Sequence, residues 1–236
     1  MVTRAIVPGG AGLRGTALFA SDEAVPERPV ATLDHLVLAT PDLGGTIRTV
    51  AERLGVEPTP GGQHPGRGTR NALVRLGPAA YLEIVGPDIE QPRPAQPRGF
   101  GIDALSCPRL VAWAARSHDL EELHATAARR RVKLGVVLSA SRRRPDGSVL
   151  SWRYTDPECV LGDGIVPFFI DWGRTPHPSA GAVQGASLIG LRAEHPNPER
   201  VRDLLARLEL RLGVQRGETP ALVATIAGPR GRVELR

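Results

Sequence analysis

The segment Leu33–Thr40, LDHLVLAT, decides the fold together with the helix-like run that follows Asp42. The same order of a short apolar strand and a capped helix returns at Leu110–Ser117 (LVAWAARS) and at Leu188–Glu194 (LIGLRAE). The strand starts at 33, 110 and 188 are separated by intervals of 77 and 78 residues. A unit that returns at a nearly constant interval indicates an internally repeated architecture.

Each of the three predicted helices carries its own start signal. Asp42, Asp119 and Asn197 can accept hydrogen bonds from the free N–H groups of a first helical turn. Apolar residues then recur at helical spacing, so each helix has one face to bury. Gly55 is a suitable C-cap for the first helix.

Shorter strand-like runs separated by turns follow each helix. They are Asn71–Leu76, Tyr81–Val85, Val136–Ser141, Val149–Tyr154, Phe168–Trp172, Ala221–Ala227 and Arg232–Leu235. The pattern predicts an α+β fold of repeated βαβββ modules, in which a curved, mostly antiparallel sheet carries the helices on its outer face. We expect a flexible N-terminal extension over residues 1–30 and two paired modules over 31–180. A third unit of βαββ type over 181–236 would pack on the first two or pair with them.

Composition limits the cellular context. The chain has 236 residues, of which 41% are hydrophobic, and no apolar run is long enough to cross a bilayer. Cys107 and Cys159 are its two cysteines and belong to no metal-binding or disulfide framework. We therefore expect a cytoplasmic protein without a membrane partner.

The basic character of the chain does not indicate nucleic-acid binding. The net charge is +5, but Lys133 is the single lysine among 30 basic residues, and most of the arginines are scattered. Aromatic residues make up 4% of the chain and offer little surface for base stacking. We expect a small-molecule partner and no nucleic acid.

Strand alternation places polar residues on one sheet face. If Leu36 and Leu38 face the helices, His35 points to the opposite, concave face, and the same argument places Glu83 and Glu234 there. One imidazole and two carboxylates form a plausible divalent-metal site. The alternatives are a packed structural histidine at His35 and an ion pair of Glu83 with Arg75.

The segment Gly61–Thr69 is too rich in glycine and proline to be expected in regular structure. It would place His64 on a loop at the rim of the same sheet, where functional residues are common. His35, His64 and Glu83 could then form a two-histidine, one-carboxylate metal set with open positions for water or substrate.

Several motifs resemble those of glyoxalase-like domain proteins in the vicinal oxygen chelate superfamily. They are LDHLVLATPDL from 33, GGQHPGRGTRNALVRLG from 61, YLEIVGPD from 81, RRPDGSVLSWR from 143 and PFFIDWG from 167. The resemblance implies paired βαβββ modules around a small-molecule cavity. It also implies a divalent metal (Zn, Fe, Mn or Ni) bound by His35 on the first strand and Glu83 on the last.

The partner units depart from the pattern of this superfamily. Ala112 and Gly190 stand where His35 stands in the first unit, and neither can bind a metal. Asp171 and Glu234 are the candidate last-strand equivalents, and we expect them to act as general bases. Asn71, Trp152 and Tyr154 are expected to contact the substrate.

The superfamily includes isomerases, lyases, extradiol dioxygenases, epimerases, thiol transferases and metal-free drug-binding proteins, so fold alone does not fix function. The first hypothesis is a metal-dependent lyase, isomerase or dioxygenase that acts on a small oxygen-bearing molecule. The alternative is a metal-free protein that binds or sequesters a small molecule. Because three units leave one without a partner, a homodimer could complete the set.

Overall fold

The structure of the protein, a computed structural model, describes residues 33–144 and 146–236. The N-terminal extension expected over residues 1–30 lies outside the described residues. Three α-helices, α1 to α3, span Leu43–Leu54, Leu120–Arg129 and Pro198–Arg207. The strands β1 to β12 span Leu33–Ala39, Thr59–His64, Thr69–Gly77, Ala80–Pro87, Arg109–Arg116, Val137–Arg143, Val149–Thr155, Phe168–Asp171, Ser187–His195, Gly213–Arg216, Ala221–Gly228 and Gly231–Leu235.

The first eight strands close into a barrel. Their order is β1-β4-β3-β2-β6-β7-β8-β5, so each βαβββ module contributes four neighbouring strands. The modules join where β1 runs antiparallel to β5, and again where Gln63 of β2 pairs with Arg143 of β6. The expected mixed α+β class is confirmed, and the curved sheet is more strongly curved than predicted because its edges meet.

The three helices begin where their predicted cap residues indicate, and α1 ends where Gly55 predicts. The side chains of Asp42, Asp119 and Asn197 each accept a hydrogen bond from a backbone N–H three residues further on. Gly55 ends α1 with φ at 76°, the left-handed conformation that glycine adopts without steric cost.

The third unit repeats the element order of the other two but pairs its strands differently. Its sheet has the order β10-β9-β11-β12, with β10 parallel to β9. Helix α3 is therefore a simple crossover between neighbouring parallel strands. In the first two modules, by contrast, the strand after the helix is β2 or β6. Each lies at the edge of its module opposite the first strand, and the two pair with each other.

The second sheet packs over α1, outside the barrel. Gly228 of β11 lies so close to the carbonyl of Leu54 that a Cβ atom there would overlap it. Arg230 donates from its backbone N–H to the Leu54 carbonyl and from Nη1 to the carbonyl of Glu52. These contacts satisfy the last carbonyls of α1, which have no partner within the helix.

Alternation in β1 divides the core into two layers. Leu36 and Leu38 are buried among the helices and the second sheet, whereas Val37 and Ala39 belong to the interior of the barrel. The predicted facing of this strand is confirmed, and its inward face carries His35.

The expectation that residues 61–69 form an irregular loop was wrong in its first half, because β2 runs through to His64. At Gly61 a Cβ atom would overlap Oδ1 of Asn71, and at Gly62, where φ is 137°, it would overlap the carbonyl oxygen of Arg143. The two glycines therefore allow β2 to approach β3 and β6 closely, and this approach closes the barrel.

No α-helix among the described residues is long and apolar enough to span a membrane. Cys107 and Cys159 are both exposed and free.

Candidate functional site

The barrel encloses a cavity of about 320 Å³, which we call the barrel cavity. Both modules line it with polar side chains, and the second module also supplies several aromatic and apolar ones. The site residues predicted from the sequence divide into those that lie in this cavity and those that do not. Predicted residues that line it are His35, His64, Asn71, Glu83, Trp152 and Tyr154.

His35 lies on β1 beside an irregularity of the strand. The pairing of β1 with β5 shifts between Leu33 and His35, so Asp34 is the extra residue of a β-bulge. The side chain of Asp34 can therefore reach its neighbour, and its Oδ1 lies 2.8 Å from Nδ1 of His35. A carboxylate at that distance accepts the Nδ1 proton, which leaves the lone pair of Nε2 directed towards the cavity.

Asp34 is fully buried and is the centre of a hydrogen-bonded cluster. Its Oδ2 accepts from Nε of Arg116 at 3.0 Å, from Nε2 of His177 at 3.1 Å and from Nε1 of Trp172 at 3.1 Å. Burial alone would raise the pKa of Asp34, but the hydrogen bonds from His177 and His35 outweigh it and hold the pKa far below its usual value. Asp34 is therefore a fixed anion that orients His35.

His64 lies at the end of β2, on the other side of Glu83. Its Nδ1 is 3.0 Å from the hydroxyl of Thr69, and its Nε2 faces the cavity, 3.8 Å from Oε1 of Glu83. Burial, and then the positive charges of Arg142 and Arg67, lower the pKa of His64 to about 4 against the opposing charge of Glu83. The imidazole is therefore neutral near pH 7.

Glu83 is held by Asn71 rather than by the ion pair with Arg75 considered from the sequence. Nδ2 of Asn71 donates a short hydrogen bond to Oε1 of Glu83. Oδ1 of Asn71 in turn accepts from Nη1 of Arg142 at 3.0 Å, which fixes the orientation of the amide. Arg75 instead donates to the carbonyl of Gly77.

The donor set of His35, His64 and Glu83 fits a divalent metal in its chemistry. Each imidazole has Nδ1 engaged by a second polar group and Nε2 directed to a carboxylate, as metal-binding histidines do. The spacing is looser, because the Nε2 atoms lie 3.7 and 3.8 Å from the Glu83 oxygens. Donor atoms on one zinc ion are about 3.0 to 3.4 Å apart. Among the described residues no three His, Cys, Asp or Glu side chains are placed so that they could hold a metal ion together.

The second module has apolar side chains at the positions where the first module has His35 and Glu83. Register places Phe168 opposite Ala114 in β5, as Glu83 lies opposite Val37 in β1. Phe168, and not the predicted Asp171, is therefore the counterpart of Glu83. The ring of Phe168 packs edge-on against His35, with centroids 5.5 Å apart.

Trp152 and Tyr154 extend this wall along β7, as strand alternation predicts. Both line the cavity, whereas Arg153 between them points outward and pairs with Glu121. The ring of Trp152 lies 5.2 Å from that of Trp172.

Two predicted residues lie elsewhere. Asp171 at the end of β8 points away from the barrel cavity, and its Oδ1 accepts from the backbone N–H of Gly173. Glu234 was expected on the concave face with His35, but it lies in the second sheet and pairs with Arg192 at 3.3 Å. That expectation failed because the third unit does not join the barrel. The geometry thus gives no support to the predicted role of these carboxylates as general bases.

Three residues of this region were missed. Asp34 was overlooked because regular alternation would turn it away from His35, and only the bulge brings the two together. Arg142 lies one residue beyond the predicted end of its strand. Had β6 been extended to Arg143, alternation from Ala140 would have turned Arg142 into the cavity. Arg67, at the cavity wall, gave no sequence signal of its own; its Nη2 donates to the hydroxyl of Tyr154 at 3.0 Å.

A second arrangement resembles a hydrolase triad but cannot act as one. Ser179 Oγ lies 2.7 Å from Nδ1 of His177, whose Nε2 contacts Asp34. Ser179 is 1% exposed and its hydroxyl also donates to the carbonyl of Pro78, so a substrate cannot reach it. The chain of contacts therefore supports Asp34 rather than providing a nucleophile.

Comparisons with known proteins agree with this architecture. Residues 33–209 match the family model described as a glyoxalase-like domain. A hypothetical protein from Staphylococcus aureus is similar in structure over 86% of this chain and 98% of its own, with a TM-score of 0.62 and 11% identity.

Weaker structural similarity links the chain to methylmalonyl-CoA epimerases. The Mycobacterium tuberculosis enzyme has a TM-score of 0.42 and 21% identity over 60% of this chain and 88% of its own. A Streptomyces coelicolor variant has a TM-score of 0.41 and 18% identity over 61% and 98%. No curated protein matches by sequence. On the family match, which covers residues 33–209, this chain belongs to the glyoxalase-like domain family.

Proposed function

We propose that the protein is a divalent-metal-dependent enzyme, of lyase, isomerase or dioxygenase type, that acts on a small oxygen-bearing molecule in the barrel cavity. One observation carries the proposal. Two imidazoles, each with Nδ1 engaged by another side chain, direct Nε2 towards the two oxygens of one buried carboxylate. Two lone pairs and a negative charge that face each other favour a cation between them.

His35, His64 and Glu83 would hold the metal. When bound, a divalent metal supplies Lewis acidity that stabilises negative charge developing on substrate oxygens. The chain itself orients these groups through Asp34 and Asn71. The aromatic wall around Phe168 would contact the apolar part of a substrate bound in the same cavity.

The metal content of the purified protein tests this proposal. Wild type purified without chelator would be compared by elemental analysis with His35→Ala, Glu83→Ala and the control His118→Ala, whose histidine is exposed. We expect near-stoichiometric Zn, Fe, Mn or Ni in the wild type and the control, and less than about a tenth of it in the two site variants. Wild type that takes up none of these metals after reconstitution would overturn the proposal.

A metal-free binding protein is the second candidate, and a specific observation favours it. Nδ2 of Asn71 already donates to Glu83 and lies 3.5 Å from Nε2 of His64, so an amide takes part of the space between these two ligands. Ala112 and Phe168 occupy the places that metal ligands would take in the partner module. Their presence there also favours a metal-free protein. Under this candidate His35→Ala leaves ligand affinity unchanged in protein that never contained metal.

A further inference from the structure

Arg142 is a buried charge in the wall of the barrel cavity. The residue is 4% exposed, although arginine is almost never buried without a partner. It extends from β6, in the half of the barrel that also carries Trp152 and Phe168, next to Gly61 and Gly62.

The described surroundings of Arg142 give it no direct ion-pair partner. Within residues 33–144 and 146–236 it forms no ion pair with a carboxylate, and its hydrogen bond is to the neutral amide of Asn71. Its Nε is buried without a hydrogen-bond partner among the described residues. Desolvation lowers the pKa of the guanidinium, while the charge of Glu83 opposes the change. Removing an arginine from water without a carboxylate partner is costly, so an anionic partner beyond the described residues is the economical explanation.

A second guanidinium lies at the wall of the same cavity. Arg67 is exposed, forms no ion pair with any carboxylate of the described residues, and donates to the hydroxyl of Tyr154. The two arginines share this cavity with the carboxylates Glu83, Asp156 and Glu158, and an aromatic surface around Trp152 and Phe168 forms another part of its wall. Positive charge at the edge of a cleft raises the local concentration of anions.

We propose that the barrel cavity takes a small organic carboxylate, whose carboxylate group pairs with Arg142 and whose apolar body lies against Trp152 and Phe168. The guanidinium offers planar paired donors that match a carboxylate, which an ammonium does not. This inference deepens the proposed function by naming the substrate class, but it rests on Arg142 and not on a metal.

Phenylacetate and phenylacetamide test this assignment, because the two have the same number of heavy atoms and differ in charge. Their binding to chelator-treated, metal-free protein would be measured by calorimetry. We expect wild type to bind phenylacetate at least about tenfold more tightly than the amide, the size of effect typical of a charged hydrogen bond. Equal affinity for both probes, or binding of neither, would overturn the proposal.

Two substitutions at position 142 separate charge from folding. Arg142→Gln is expected to lose about 10- to 100-fold in affinity for phenylacetate and to keep its affinity for phenylacetamide, which shows that the cavity is intact. Arg142→Lys should retain part of the preference, since it keeps the charge without the planar donors.

Arg153→Gln is the matched control, because this neighbouring arginine points outward and pairs with Glu121. It should bind both probes as wild type does. Arg142→Gln that loses both probes equally, or neither, would contradict the assignment. Because metal is absent throughout, a failure here is distinct from a failure of the metal analysis.

Discussion

Oδ1 of Asp34 lies 2.8 Å from Nδ1 of its neighbour His35, although adjacent residues of a regular strand point to opposite faces of the sheet. The β-bulge at Asp34 removes that restriction. A buried anion therefore sets which nitrogen of His35 carries the proton and which faces Glu83. The hydrogen bond between Asp34 and His35 therefore extends the candidate site from the cavity into the core behind it.

Asp34→Asn should weaken metal binding without removing a ligand. An amide can still occupy the volume, but it no longer supplies the negative charge that fixes and strengthens the imidazole as a donor. We expect metal affinity to fall by about 10- to 100-fold, measured by competition with a coloured chelator. Asp203→Asn, which affects an exposed ion pair on α3, is the control and should leave affinity unchanged. Equal affinity in Asp34→Asn and wild type would remove Asp34 from the site.

Much of the fold could be predicted because its signals are local. Helix caps such as Asp42 and Gly55 act within one turn, and strand alternation around His35 is a property of a few consecutive residues. The same local rules correctly turned Glu83, Trp152 and Tyr154 towards one interior.

The errors arose where distant parts of the chain decide the outcome. Nothing in the alternation of β12 indicates which strand it pairs with, so Glu234 was placed in the wrong sheet. The bulge at Asp34 and the burial of Arg142 likewise depend on partner strands that are remote in sequence. The sequence pattern predicted where the strands lie along the chain, but it did not predict which strands pair with each other.

Gly62→Ala should destabilise the barrel at its closure. The added methyl group would overlap the carbonyl of Arg143 and impose a side chain on a φ of 137°. We expect a loss of about 3 kcal/mol in the free energy of unfolding, measured by urea denaturation. Gly77→Ala is the control, because its Cβ would meet only an ordinary contact, and it should change stability by less than about 0.5 kcal/mol. Similar stability of both variants would mean that β2 does not approach β6 as described.

His195→Ala should loosen the attachment of the third unit. This histidine is buried, with Nε2 2.8 Å from Oδ2 of Asp163 in the second module. Its Nδ1 accepts from the backbone N–H of Asn197. Losing both bonds inside the fold should cost about 1 to 3 kcal/mol in unfolding free energy, measured by thermal and urea denaturation. His118→Ala, at an exposed position, should have no measurable effect, and equal behaviour of the two would refute this role for His195.

Trp152→Ala should weaken the binding of small aromatic carboxylates more than His35→Ala does. Trp152 lines the barrel cavity against Trp172, so its loss removes apolar contact surface from the ligand. In metal-free protein we expect phenylacetate affinity to fall about 3- to 10-fold in Trp152→Ala and to stay within about twofold of wild type in His35→Ala. Calorimetry measures both without relying on tryptophan fluorescence. Val149→Ala, at an exposed position of the same strand, serves as the control. A larger loss of phenylacetate affinity in His35→Ala than in Trp152→Ala would contradict this prediction. The imidazole of His35 would then contribute more to ligand binding than the indole of Trp152.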